Sequence, residues 1–171
     1  MLAHPAGFHE RVALSVSRQA VDGLVVLDLD RSETARLIRA GADFDRDGVI
    51  SAVERGALQK KLVSLAVGGL KLGISGFALS LKVSDVKMSM RGDDRVSDLG
   101  LSVALMIEAG VSSPIGEGMK LEIEAKSPDE SHVVVEVSAV AGRDGGVVAL
   151  ERRELVAGEK WSVRLGVLGP R

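Results

Sequence analysis

The chain has 171 residues, 46% of them hydrophobic and 27% charged, which suits one folded domain rather than a disordered chain. Its 22 Lys and Arg stand against 24 Asp and Glu, a net charge of −2, so it lacks the basic excess that nucleic acid or an anionic membrane would require. The absence of cysteine excludes disulfides, a zinc ribbon and cysteine catalysis, and three Phe with one Trp leave little for a base-stacking surface.

Residues 11–17 alternate apolar and polar, the period of a half-buried strand, and a turn at Asp22-Gly23 leads into a second strand over 24–29. Ser32 then reads as the N-cap of a short helix over 33–39 that stops at Gly41. Leu58, Leu62 and Leu65 recur at helical spacing, which predicts an amphipathic helix closing near Gly68-Gly69. Period two returns at 70–74, 77–83, 86–90, 101–107, 121–125, 133–137, 147–150 and 161–167. About ten short strands separated by Gly, Asp, Ser and Pro predict a mainly β fold. The expected architecture is an antiparallel β-sandwich, one domain over 1–171, with a helix-loop-helix insertion at 31–67 between its second and third strands. No apolar run approaches the roughly 20 residues of a membrane-spanning helix, so direct membrane insertion is not expected.

The stretch between the two predicted helices reads Asp43-Phe44-Asp45-Arg46-Asp47-Gly48-Val49-Ile50-Ser51-Ala52-Val53-Glu54. It fits the spacing D-x-[DN]-x-[DN]-G-x5-E. A cation of Ca2+ size takes six to eight oxygens at about 2.3–2.6 Å. Carboxylates from Asp43, Asp45 and Asp47 can converge within one tight curl, Gly48 permits the bend, and the Val49 carbonyl follows. Ser51 is placed to hold a water ligand, and Glu54, already on the exiting helix, can offer two oxygens at once. Without a cation, four carboxylates in twelve residues repel one another.

This segment resembles the EF-hand family over about 25 residues. Arg39 and Arg55 depart from that pattern, standing where such helices often carry apolar side chains. The chain holds one such loop, so Ile50, at the position through which paired hands touch, has no partner loop. The resemblance implies a weak Ca2+ site, about 10⁻⁵ to 10⁻³ M, in the range of extracellular modules. A second resemblance rests on Ala3-His4-Pro5-Ala6-Gly7, the loop at 43–54 and Gly69–Ile74. These stretches look like the extracytoplasmic domain of bacterial nickel/cobalt transporter-family proteins. That likeness implies an exported, periplasmic or secreted domain, cut before His4 and close to a membrane protein; Leu2-Ala3 would be the stub of the cleavage site.

Other polar groups have plainer readings beside their chemical ones. A chain beginning at His4 would offer an amine and an imidazole to Ni2+ or Cu2+, with His9 within reach; otherwise His4, His9 and His132 are unrelated surface residues. Asp93-Asp94 and Ser97-Asp98 form an acidic loop, read as a solvated turn. Asp30 suits the N-terminus of the first helix, and Met88 and Met90 suit core packing. G-x-S-x-G, a P-loop and H-E-x-x-H are all missing, so no catalytic residues are expected. Three readings follow: a non-enzymatic calcium-binding structural or interaction module, a Ni/Co/Cu accessory domain using the N-terminal histidines, and a Ca2+-dependent switch for a protein partner.

Overall fold

Alternation over the first strands places Val12, Leu14 and Val16 on one face, all at most 2% exposed, and the same face carries Val21, Val25, Leu27 and Leu29 from the next strand. The computed structural model describes residues 8–116, 118–126, 132–139, 147–148, 151–156 and 158–167. In chain order the elements are β1 (Phe8–Val16), β2 (Ala20–Leu29), α1 (Glu33–Ala40), α2 (Ala52–Gly68), β3 (Leu70–Ile74), β4 (Phe77–Ala78) and β5 (Lys82–Met90). They continue with β6 (Leu101–Gly110), β7 (Lys120–Ala125), β8 (His132–Ala139), β9 (Val147–Val148), β10 (Glu151–Leu155), β11 (Lys160–Arg164) and β12 (Gly166–Val167). The protein is mainly β with two helices, and both helices lie between β2 and β3.

Six strands form one sheet in the order β10-β8-β1-β2-β6-β5, four form another in the order β11-β7-β3-β4, and β12 pairs with β9. One hydrophobic cluster draws on both larger sheets and on α2: Leu14, Val25 and Leu105 belong to it, as do Leu72, Ile123, Trp161 and Val163, with Leu58 and Leu62 of the helix. The predicted stripe on α2 is shifted by one residue at its end, where Ala66 rather than Leu65 is fully buried.

Further features differ from the sequence expectation, and the strand expected at 77–83 is one: only Phe77–Ala78 (β4) pairs there, and β5 starts anew at Lys82. The pairing is not wholly antiparallel, because β8 runs parallel to β1 from His9↔His132 to Val16↔Ala139. Alternation determines which face is buried; it carries no information on the direction of a neighbour. Asp22-Gly23 is not the turn of the first hairpin. That turn lies at 17–19, where the Ser17 hydroxyl accepts from Ala20 N–H at 3.0 Å, and Gly23 sits within β2 opposite Leu14. Its missing side chain serves packing: a Cβ there would stand 2.8 Å from Leu14 Cδ2 and 3.0 Å from Ile107 Cγ1. Gly23→Ala is therefore expected to lower stability by about 1–3 kcal/mol, as overpacking does; an unchanged urea midpoint would show that Leu14 repacks freely. Finally, β10 was not anticipated. Glu151-Arg152-Arg153-Glu154 has no apolar alternation, and such a charged strand suits the sheet edge that β10 occupies. The expected turn at 143–146 lies outside the described residues.

Candidate metal centre

Local sequence chemistry builds the two helices that flank the acidic loop. The Ser32 hydroxyl accepts from Ala35 N–H at 3.2 Å and starts α1. At the start of α2, Ser51 and Glu54 form a reciprocal capping box. Between them the chain curls through left-handed conformations at Arg46 (φ 62) and Gly48 (φ 82). The carboxylates help to hold the curl. Asp43 Oδ2 accepts from Gly48 N–H at 3.0 Å, Asp45 Oδ1 from Asp47 N–H at 3.2 Å, and Asp47 Oδ1 from Val49 N–H at 2.7 Å.

The result brings one oxygen from each of Asp43, Asp45 and Asp47 within 4.8 Å of one another. Asp43 Oδ1 is enclosed and has no hydrogen-bond partner among the described residues. A buried carboxylate oxygen left unpaired is costly, and a cation at the focus of the three aspartates would satisfy it. The donor set is oxygen only, which suits a hard ion.

Glu54 lies outside that triplet. It is 4% exposed; Oε1 accepts from Phe44 N–H at 2.6 Å, and Oε2 accepts from Ser51 N–H at 2.9 Å and the Ser51 hydroxyl at 2.7 Å. The Ser51 hydroxyl and the backbone donors of Ser51 and Phe44 hold the Glu54 carboxyl below its ordinary value. A carboxylate offers about four lone-pair sites, and with the Asp45 backbone donor added to these three the Glu54 carboxylate is fully engaged; rotation of the Ser51 hydroxyl would free one of them. Ser51 is thus a cap whose oxygen can also turn toward a bound water.

The loop also has a backbone partner. Val49 forms an antiparallel bridge with Arg95, flanked by Ile50 N–H donating to Asp94 O at 2.5 Å and Val96 N–H donating to Gly48 O at 2.9 Å. The two arginines that break the EF-hand pattern both face this β5–β6 connection. Arg39 is 0% exposed and donates to four of its carbonyls: Asp93 and Arg95 at 3.0 Å, Arg91 at 2.9 Å and Gly100 at 3.2 Å. Arg55 pairs with Asp94. Nothing in the motif itself pointed to this contact; the misplaced arginines were its trace in the sequence.

The remaining candidates lie elsewhere in the fold, several of them with partners of their own. Asp98 pairs with Arg31 at 2.8 Å and Asp94 with Arg55, so the acidic loop is neutralised by arginine. Asp28 pairs with Arg11 at 3.0 Å. His9 Nε2 lies 3.2 Å from Asp30, and the parallel ladder sets His9 beside His132 in register. His4 lies outside the described residues. Met88 and Met90 pack partly buried against the core. Among the described residues no helix is long and apolar enough to cross a membrane. Comparison with known protein families and with curated proteins returns no match for this chain.

Proposed function

We propose that the chain is a non-enzymatic, calcium-binding β-sandwich whose helix-loop-helix insertion is a single EF-hand, exported to act as a structural or interaction module. Asp43, Asp45 and Asp47 would supply side-chain oxygens and Val49 its carbonyl. Glu54 would join by releasing the Ser51 hydroxyl from its cap, and Ser51 would then hold a water. The observation that carries this reading is the enclosed Oδ1 of Asp43, unpartnered among the described residues, on one member of a three-aspartate cluster. Ca2+ would order the loop and fasten α1 and α2 to the sheets.

Isothermal titration of Ca2+ into chelator-stripped protein tests it. One site of about 10⁻⁵ to 10⁻³ M is expected, and the absence of binding across that range would overturn the reading. At a hundredfold excess over the dissociation constant, Ca2+ should add about 2.7 kcal/mol to stability. Glu54→Gln should abolish most of the accompanying rise in Tm. A parallel Ni2+ titration tests the accessory-domain reading, which requires affinity that survives loss of the loop.

The switch reading has an observation of its own. Leu37, Phe44, Val49 and Val53, all on the helix-loop-helix, are 56%, 65%, 43% and 80% exposed. Such side chains suit a protein partner. Calcium-dependent binding of an apolar dye would favour the switch over a static staple, and calcium-independent dye binding would exclude it.

A further inference from the structure

We propose that the β5–β6 connection, residues 91–100, replaces the second hand: it is the built-in pairing partner of the 43–54 loop, and cation binding and docking of this segment form one coupled equilibrium. The inference rests on the calcium reading above and adds to it the element through which the site would be regulated.

The geometry carries it. In the Val49–Arg95 bridge the two hydrogen bonds come from the flanking residues, Ile50 to Asp94 and Val96 to Gly48. That is the pattern of a non-hydrogen-bonded antiparallel pair, in which the central residues turn their own N–H and C=O away from each other. Val49 N–H is accordingly used inside the loop, on Asp47 Oδ1 at 2.7 Å. Its carbonyl is directed away from Arg95, as a ligand at that position must be. The bridge therefore holds Val49 in the orientation that the ion needs, and the next residue, Ile50, is 2% exposed within the core. With its N–H bonded to Asp94, Ile50 has no free donor with which to meet a second copy of the loop.

The segment is in turn fixed to the rest of the fold. Arg39 ties four of its carbonyls to α1. Ser32 N–H donates to Asp98 O at 2.9 Å, and Arg91 pairs with Asp30 at 3.7 Å. Arg31 adds the ion pair to Asp98. Because 91–100 joins two strands of the six-stranded sheet, a cation that tightens the loop also tightens the end of β5, the edge strand. By reciprocity, anything that loosens 91–100 weakens the cation site by the same factor.

The test removes the bridge and leaves every ligand in place. Val96→Pro deletes the N–H that donates to Gly48 O, and Ca2+ affinity should fall about tenfold, in keeping with one lost hydrogen bond that preorganises the loop. Hydrogen exchange at Ile50 and Val96 in the unaltered protein should slow on adding Ca2+, and should not respond in Glu54→Gln. Should Val96→Pro fail to fold, the exchange measurement decides alone. Ca2+ uptake by the parent with no change in exchange at either amide, or with affinity in Val96→Pro within twofold, would overturn the coupling only. Failure of the parent to bind Ca2+ would overturn the calcium reading and the coupling with it.

Discussion

Replacing Arg39 by methionine is expected to destabilise the protein by about 3–5 kcal/mol, the scale seen when one member of a buried charged network is removed. Methionine keeps most of the stem's volume, so the loss would reflect hydrogen bonding rather than a cavity. The side chain is 0% exposed and its guanidinium serves the carbonyls of Arg91, Asp93, Arg95 and Gly100. Each of these would have to find water or move. Burial lowers the Arg39 pKa from its ordinary value while Asp93 and Asp94 raise it, and guanidinium stays charged at any working pH. Arg39→Lys should recover only part of the loss, because an ammonium has three donors and no planar fork. Urea denaturation in the presence of chelator measures both variants. A loss under about 1 kcal/mol, the worth of one ordinary hydrogen bond, would mean that the β5–β6 connection is held by its other contacts.

The second large effect concerns Glu10, which is 3% exposed on the core face of β1. Its Oε1 has no partner among the described residues, and its Oε2 lies so close to the end of α2 that a Cβ on Gly69 would stand 3.1 Å away. Burial pushes the Glu10 carboxyl up from 4.5 to about 7, and the negative end of the helix dipole acts in the same direction. The folded protein therefore holds this proton over a pH range in which the unfolded chain has released it. Stability from the protonated form is fully present below about pH 4.5 and is lost as the pH rises to about 7. The integrated difference is about 3 kcal/mol. Glu10→Gln should remove that dependence: relative to the variant, the parent should lose stability between these two pH values and lose no more above. Denaturation with chelator at a series of pH values checks it, and parallel curves for the two proteins would refute it.

Much of this was open to reading in the sequence, and the remainder was hidden for identifiable reasons. Ser32 and Gly41 bound α1 as their chemistry requires, because caps act over three or four residues and leave a local signature. The aspartates at 43, 45 and 47 converge through hydrogen bonds confined to the loop. Long-range facts were invisible. Period two in Val133–Val137 said that a strand was present, but its parallel seat on β1 depends on the path of the whole chain. Gly23 resembled a turn residue and is a packing residue. Glu10 interrupts an apolar alternation, which is the only mark a buried carboxylate leaves. Arg39 was visible as an anomaly; its four acceptors lie 52 to 61 residues away.

The parallel seat of β8 has a consequence for the order in which the chain takes shape. β1 and β2 close a hairpin from adjacent residues, whereas β1 meets β8 through pairs such as His9 with His132. A nascent chain thus carries an open hydrogen-bonding edge along β1 until most of its length has emerged. Closing so long a loop draws heavily on chain entropy and slows folding, and an open edge invites pairing with other chains. Arg11, exposed just ahead of the Val12, Leu14 and Val16 stretch on that strand, places a charge there that discourages self-association during the interval. The last stage of folding is then the arrival of the C-terminal strands, and truncations within β8 should yield aggregates rather than a smaller folded core.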